Sequence, residues 1–365
     1  MSEVNNPEAV SDRAPTDWKT SIDDVGGWRS VLGELSAGRD LLSTTTRAVM
    51  GTILAGEASA AQIAAFIFGL RLKGETVDEL VGLRQGMIDA AVPLPIPDGA
   101  IDIVGVGGSL ARREAALNVS TMASFIAAAA GATVCKHGNR KASSTSGSFD
   151  LLEALGVAVD LSPSHLEDCV AGTGLGFAYA RTFHPAMRHV AAVRTEMGIP
   201  TVFNVLGPLS NPGLVKRHLI GVADPNLRPL MADVLMASGS ERVMMVTGHE
   251  ALDEVSVTGP TAVTDGVNGI VTEWQIQLEQ LGISPARPED LRGGDAADNA
   301  RIFGDILSGA EAGPRRDMVV LNAAAGLVAS GLVADLPAGM ERAADALVSG
   351  AAGAKVAELV SVTNR

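Results

Sequence analysis

The sequence has few basic residues for its length. Its 365 residues include 28 Lys and Arg against 42 Asp and Glu, which gives a formal net charge of −14 at pH 7. Binding a phosphate backbone or an anionic bilayer requires a clustered basic surface. The composition therefore argues against nucleic acid and membranes as partners.

Cysteine is also scarce, and no long apolar run is present. Cys135 and Cys169 lie in apolar segments without CxxC spacing, which favours buried, reduced thiols over a disulfide framework or a zinc site. The longest small-apolar run, around residues 125–130, ends at Gly131 and is too short to span a bilayer. Residues 1–24 are polar and acidic without the apolar core of a signal peptide, so we expect a cytoplasmic protein with a disordered N-terminal extension.

The remaining composition is that of a globular protein with about two domains, 47% hydrophobic and 19% charged. Residues 25–95 have a helical pattern. Ser59 with Gln62, and Thr76 with Glu79, have the spacing of capping boxes that begin two of these helices. We therefore predict a small helical domain over residues 25–95.

Residues 96–365 alternate between strand and helix patterns after a proline-rich connector. This alternation predicts parallel βαβ units in an open α/β sheet covered by helices, with a helix near 149–155 and helices from about 288 to the end. The predicted strands lie near residues 101–104, 133–135, 157–161, 176–180 and 242–247.

Three polar segments follow predicted strands or begin a helix, where open α/β sheets bind ligands. Gly105–Gly108 allows backbone amides to approach an anion, although such a glycine-rich turn often does no more than connect two elements. Asn118–Thr121 offers small polar side chains, and taken alone it is better explained as an N-cap. Lys136–Arg140, followed by several serines up to Ser148, is a cationic, hydroxyl-rich loop that indicates anion binding.

Read in order, these segments (GVGGS, NVST and KHGNRKASSTSGSFDLLEALG) resemble the anthranilate phosphoribosyltransferase family of tryptophan biosynthesis. That family carries GTGGD, NxST and KHGNR followed by SxxSGSxDxLEALG. The resemblance covers about residues 28–350. Further segments that look like the family are LAGEASAAQIAAFIFGLRLKGET (54–76), FHPAM (183–187), VRTEMGIPTVFNVLGPLSNP (193–212), IGVADP (220–225) and LDEVSVTGPT (252–261).

The resemblance implies both a fold and an activity. The fold is a small N-terminal helical domain, with a helical contribution from about 186–198, plus a larger open, mainly parallel α/β domain of the nucleoside phosphorylase/phosphoribosyltransferase type. The activity is attack of the anthranilate amine on C1 of phosphoribosyl pyrophosphate (PRPP), which expels pyrophosphate in the presence of magnesium, with two ions expected. Family members are commonly dimers joined through the helical domain, so we expect a homodimer.

The resemblance also implies which residues bind the donor and the metal. Stabilising the leaving pyrophosphate and aligning the nucleophile would supply most of the catalysis. Asp253 and Glu254 form the carboxylate pair that Mg²⁺ prefers, helped by Ser120, although such a pair on a loop is usually only solvated surface. The implied donor-binding residues are Gly105, Gly107, Gly108, Asn118, Ser120, Thr121, Lys136, Ser144 and Ser148.

For the acceptor, the family's motifs match His137, Asn139, His184 and Arg194. The planar guanidinium of Arg194 suits a carboxylate, and with Lys136 it is the implied catalytic pair. Two simpler readings stay open: Arg194 could form a surface ion pair with a glutamate such as Glu196, and His184 could be a core or turn histidine.

The sequence departs from the family at the donor loop. Val106 replaces a threonine, Ser109 replaces an aspartate, and the segment that follows is longer and carries Arg112 and Arg113. These arginines could replace lost phosphate contacts or be solvated loop charges. Arg181 introduces a charge near the acceptor motif. Two alternatives therefore stay open, a relative acting on a different aromatic acceptor and a catalytically silent homologue.

Overall fold

A computed structural model of the chain describes residues 21–107, 116–140 and 145–365. Most of the predicted disordered extension, residues 1–20, lies outside these ranges. Residues 21–24 depart from that prediction, because a 3-10 turn forms at Asp23–Val25 and the Ser21 N–H donates to Asp24 Oδ2 (2.9 Å). Ile22 then packs against the hydrophobic core of the helices that follow.

The N-terminal helices are α1 (Gly27–Ser36), α2 (Ser43–Leu54), α3 (Ala60–Lys73) and α4 (Val77–Asp89). Both predicted capping boxes are confirmed. Ser59 Oγ accepts from the Gln62 N–H (3.3 Å), and Gln62 Oε1 accepts from the Ser59 N–H (2.8 Å). Thr76 and Glu79 make the same reciprocal pair at the start of α4. Helix starts were predictable here because these contacts span only three residues.

Within the described residues, seven strands form one open sheet in the order β3-β2-β1-β4-β5-β6-β7. The first five strands in this order are parallel, and β6 and β7 add an antiparallel edge, so the predicted mainly parallel sheet is confirmed. The strands are β1 (Ile101–Gly105), β2 (Val134–Gly138), β3 (Leu175–Tyr179), β4 (Arg217–Gly221), β5 (Arg242–Thr247), β6 (Thr261–Val267) and β7 (Ile270–Ile276).

One predicted strand is wrong, and three strands were not predicted. Residues 157–161 have no strand structure, although Val157 and Val159 are buried in the core. The Ala158 N–H donates to Thr363 Oγ1 (3.2 Å), so this segment is held by the C-terminal helix rather than by a neighbouring strand. Strands β4, β6 and β7 are absent from the sequence prediction.

Helices cover both faces of the sheet. One hydrophobic core packs α5 and the C-terminal helices against one face, and a second packs α1–α4, α9, α10 and α11 against the other. The helices beyond α4 are α5 (Val119–Ala129), α6 (Ser148–Ala154), α7 (Pro163–Thr173), α8 (Ala180–Phe183), α9 (Arg188–Met197), α10 (Val202–Leu209), α11 (Leu227–Ala237), α12 (Ala296–Ser308), α13 (Pro314–Ser330), α14 (Leu336–Val348) and α15 (Ala351–Thr363).

Two expectations from composition can be compared with the structure. Cys135 and Cys169 are buried and form no disulfide, as predicted. Among the described residues no single helix is both long and apolar enough to cross a bilayer; α14 and α15, which meet at a bend of 68°, reach that length and composition only when taken together.

Candidate active site

A cavity of about 610 Å³ opens at the carboxyl ends of β1 and β2. The sheet side supplies the residues that end these strands, and α5 supplies its first turn. The opposite wall comes from the α3–α4 turn, with Arg71 and Glu75, and from the start of α10. The predicted site residues on this cavity are Gly105, Gly107, Asn118, Ser120, Thr121, Lys136, His137, Asn139, Ser148, Asp253 and Glu254.

The glycine turn after β1 packs directly on the acidic loop. A Cβ on Gly105 would lie 2.6 Å from Asp253 Oδ2, and one on Gly221, at the end of β4, would lie 1.7 Å from the Asp253 carbonyl oxygen. The Gly107 N–H donates to Asp253 Oδ2 (2.9 Å), with Gly107 at a φ of +77°. Gly107 therefore holds the acid in place, and its amide is engaged there rather than presented to a phosphate.

Lys136 is a buried cation beside this acidic loop. Its side chain ends at a hydrogen bond from Nζ to the Ile103 carbonyl (2.7 Å). Burial lowers the pKa of Lys136 to about 8, against the opposing effect of the carboxylates of Asp102, Glu254 and Asp253. The nearby carboxylates therefore limit the fall of the Lys136 pKa that burial causes.

The acidic pair suits a magnesium ion that is bound together with a polyphosphate. No cluster of three or more His, Cys, Asp or Glu side chains that could hold a metal occurs in the part of the chain that the structure describes. Mg²⁺ usually takes one or two carboxylates and completes its coordination with water and substrate phosphates. Asp253 and Glu254 provide two carboxylates on the cavity, and Ser120 lines the same cavity.

The first turn of α5 combines one engaged and one unsatisfied polar side chain. Asn118 does not cap the helix: its Oδ1 accepts from Ser146 Oγ and from Asn299 Nδ2 (both 2.8 Å), and its Nδ2 donates to the Ser146 carbonyl (3.2 Å). Thr121 Oγ1 is buried and has no hydrogen-bond partner within the described residues. An unsatisfied buried hydroxyl is rare in native structures and is consistent with a site that a ligand completes.

His137 is held from both sides of its ring. Nδ1 lies 2.5 Å from Asp102 Oδ2, and Nε2 lies 2.7 Å from the Gly207 carbonyl oxygen. Both partners are oxygen atoms of acceptor groups, so the ring is fixed in orientation by one contact on each side. Burial of Asp102 disfavours its ionised form, but the charge and hydrogen bond of His137 outweigh this and lower the Asp102 pKa.

Sequence reasoning missed Asp102. Its signal was a single acid within the apolar run of β1, which implies a buried partner. The Asn211 side chain also donates to Asp102 Oδ2 (2.8 Å), so the carboxylate is fully engaged.

Two of the four predicted acceptor residues do not line the cavity, His184 and Arg194. Burial and the charge of His137 lower the pKa of His184 to about 4, so its ring is neutral and its Nε2–H donates to the Ser210 carbonyl (2.9 Å). Arg194 places its guanidinium 5.5 Å from the centroid of the Phe203 ring, and burial lowers its pKa. The alternative ion pair between Arg194 and Glu196 is not among the salt bridges of the described residues.

The end of α10 gathers several of these groups. Arg84 on α4 is buried and donates from Nε to the Leu209 carbonyl (2.6 Å). His137 contacts the Gly207 carbonyl, and His184 contacts the Ser210 carbonyl. Basic side chains are favourable at a helix C-terminus, where carbonyls lack partners within the helix.

Some predicted residues cannot be placed on this cavity. Gly108, Ser109, Arg112, Arg113 and Ser144 lie outside the described residues. Arg181 is exposed on α8 and does not line the cavity.

Comparisons with known proteins identify both parts of the chain. The model of the glycosyl transferase family helical bundle domain matches residues 29–91, and that of the glycosyl transferase family a/b domain matches residues 98–353. An anthranilate phosphoribosyltransferase from Arthrobacter sp. (strain FB24) is 46% identical over 342 residues, which cover 92% of this chain and 96% of that protein. One from Saccharopolyspora erythraea is 47% identical over 333 residues, covering 90% and 93%.

Solved structures agree with the sequence relatives. A crystal structure of anthranilate phosphoribosyltransferase from Thermus thermophilus has a TM-score of 0.86 at 38% identity and covers 92% of this chain and 99% of its own. The Saccharomyces cerevisiae enzyme in complex with PRPP and Mg has a TM-score of 0.83 at 26% identity, covering 94% and 99%. The family predicted from the motifs is confirmed: this chain belongs to the anthranilate phosphoribosyltransferases.

Proposed function

We propose that this protein transfers the phosphoribosyl group of PRPP to the amine of anthranilate and releases pyrophosphate, a step of tryptophan biosynthesis. The observation that carries the proposal is the cavity that brings Lys136, the start of α5 and the Asp253–Glu254 pair to one edge of the sheet. The names of the similar proteins point to the same reaction.

In this reaction the C1–O bond of the donor breaks, and the electron pair leaves with pyrophosphate. The amine nitrogen forms the new bond to C1 and then loses a proton, so no strong general base is needed. Negative charge grows on the leaving group, and Lys136 with the hydroxyls of Ser120 and Thr121 stabilises it. Ser148, whose Oγ donates to the Asn139 carbonyl (3.1 Å), provides a further hydroxyl on the same cavity.

Asp253, Glu254 and Ser120 would hold Mg²⁺ at this edge. When bound, Mg²⁺ neutralises negative charge on the pyrophosphate group. We propose two ions, since PRPP carries more negative charge than one divalent cation balances. The chain's own part is to keep the Asp253 carboxylate against the glycine turn through the Gly107 N–H.

We propose that the acceptor lies between β2 and α10, where Asn139 and His137 line the cavity; Arg194 and His184 are not part of its lining. The positive charge of Arg194 favours a carboxylate there. His184 is neutral and donates to Ser210, so its role would be to shape the wall.

We further propose a homodimer that uses the exposed side of α3. Ile63, Phe66, Ile67 and Leu70 are buried, yet Phe68 and Leu72, four residues apart, are 46% and 72% exposed. A helix that is apolar on two sides indicates a second packing partner. Light scattering of the wild type and of Leu72→Glu tests this, because a monomeric wild type contradicts the proposal.

We also propose that the chain is divided into two domains. Residues 25–95, joined by about 186–198, would form the helical domain, and residues 96–365 would bind the donor. We place the protein in the cytoplasm, where the buried thiols of Cys135 and Cys169 stay reduced.

The direct test mixes protein, Mg²⁺, PRPP and anthranilate, and follows loss of anthranilate fluorescence together with pyrophosphate release. Lys136→Ala and Asp253→Ala should lower turnover strongly and leave the fold intact. Lys216→Ala is the matched control, because the Lys216 side chain is 62% exposed and lies at the amino end of β4.

The same assay distinguishes the alternatives. Turnover with another aromatic amine, and none with anthranilate, would indicate a different acceptor. Lack of PRPP binding by calorimetry would indicate a catalytically silent homologue. No described residue favours either one, since Arg181 lies off the cavity.

A further inference from the structure

Two buried asparagines connect the C-terminal helices to the loops that line the cavity. Asn299 on α12 is fully buried, and Asn322 on α13 is 3% exposed. Neither belongs to a sequence motif that predicted the site. Their hydrogen bonds go mainly to loop backbone, which gives these side chains a role beyond filling space.

Asn299 holds the chain at the start of α5. Its Nδ2 donates to the Ala116 carbonyl and to Asn118 Oδ1, both at 2.8 Å, and its Oδ1 accepts from the Gly294 N–H (3.2 Å). The neighbouring backbone is equally close, since a Cβ on Gly293 would lie 2.5 Å from the Ala116 carbonyl oxygen. The turn before α12 therefore fixes the residues that lead into the first turn of α5.

Asn322 holds the acidic loop in a similar way. Its Oδ1 accepts from the Val255 N–H (2.9 Å), and its Nδ2 donates to the Val255 carbonyl (2.8 Å) and to the Met318 carbonyl (2.8 Å). A side chain that binds both backbone groups of one residue fixes its peptide orientation. Val255 directly follows Asp253 and Glu254, so this orientation sets the direction of both carboxylates.

We propose that Asn299 and Asn322 are positioning residues for donor binding: Asn299 sets the phosphate-binding start of α5, and Asn322 sets the carboxylates that hold Mg²⁺. This inference rests on the proposed function. The asparagine amide offers an acceptor oxygen and two N–H donors at fixed positions, and both side chains use the oxygen and the nitrogen at once. Neither residue lines the cavity, so each would act through the backbone and side chains that it binds.

The test measures PRPP binding by isothermal titration calorimetry over a series of Mg²⁺ concentrations. Asn299→Ala should raise the Kd for PRPP about tenfold at saturating Mg²⁺, the factor that corresponds to the loss of about one hydrogen bond's contribution. Asn322→Ala should instead raise the Mg²⁺ concentration that gives half-maximal PRPP binding by about the same factor. The KM for anthranilate should change less than about twofold, because neither substitution alters the acceptor site.

Packing controls on the same helices separate positioning from general destabilisation. Ile306→Val on α12 and Val320→Ala on α13 remove buried apolar atoms and no hydrogen bond. Both controls should lower the melting temperature and leave PRPP binding unchanged. If an alanine variant does not fold, the corresponding serine variant, which keeps one hydroxyl donor, is measured in its place.

The outcomes for the two proposals differ. A wild type that does not bind PRPP overturns the proposed function. A wild type that binds PRPP, with asparagine variants that lose melting temperature but keep the Kd and the Mg²⁺ dependence, overturns only the positioning role. Equal losses in the asparagine variants and the packing controls would also overturn it.

Discussion

Replacing Gly221 with alanine should displace the acidic loop. A Cβ at this position would lie 1.7 Å from the Asp253 carbonyl oxygen and 2.2 Å from its carbonyl carbon. Since real Cβ atoms essentially never approach other heavy atoms closer than 3.0 Å, the backbone at Asp253 has to move by more than an ångström. A shift of about 1 Å in a catalytic group costs roughly 100-fold in rate.

The stability cost should be much smaller than the loss of activity. Overpacking a well-packed site costs about 1–3 kcal/mol, so Gly221→Ala should still fold. Gly105→Ala should have an intermediate effect, because its Cβ would lie 2.6 Å from the Asp253 side chain, which can rotate. Gly172→Ala is the control, since a Cβ there, on α7, meets nothing within 4 Å.

The assay is kcat from the loss of anthranilate fluorescence, with urea unfolding measured in parallel. The expected order of activity is Gly172→Ala, equal to wild type, then Gly105→Ala, then Gly221→Ala. A folded Gly221→Ala protein with wild-type kcat would refute the reasoning that the glycine places the carboxylates.

Three further predictions concern charge and capping. The ammonium of Lys136, with a pKa of about 8, is present below that pH and lost above it, so kcat/KM for PRPP should fall as pH rises through about 8; Lys136→Met should be weakly active and lack this fall. Asp102→Asn removes one partner of a buried pair and should lower the free energy of unfolding by about 3–5 kcal/mol at pH 7; a loss below about 1 kcal/mol in urea titrations would contradict a stabilising pair between Asp102 and His137. Ser59→Ala should lower stability by about 1 kcal/mol through loss of the α3 cap, with unchanged kcat as the check that the effect is local.

Short-range features of the fold could be predicted from the sequence. Capping boxes depend on residues three positions apart, so both were predicted correctly. Strands β1, β2, β3 and β5 were also predicted, because each contains apolar or β-branched residues in sequence. The β7 edge was missed because its polar residues Thr272, Glu273 and Gln275 interrupt the apolar ones, so it is not a continuous apolar run. The segment 157–161 was wrongly predicted because burial of Val157 and Val159 has the same pattern in a loop as in a strand.

In the candidate site, too, the residues within motifs could be predicted and the residues that bind them from distant parts of the sequence could not. Motifs located Lys136 and the Asp253–Glu254 pair on the cavity. The groups that hold the site in place escaped notice, because Asp102 meets His137 from 35 residues away and Asn118 meets Asn299 across 181 residues. Such pairs leave no local spacing in the sequence, and a lone buried acid or amide is their only trace.

The carbonyls at the end of α10 have a mechanical consequence. They are bound at once by Arg84 from the helical part and by His137 from the sheet, so α4 cannot slide along the sheet without breaking one of these bonds. The helical part also packs on α9, α10 and α11 through one shared hydrophobic core, so the two parts are joined over a broad surface and not only at these carbonyls. The groups beneath Lys136 are therefore held by both parts of the chain at once.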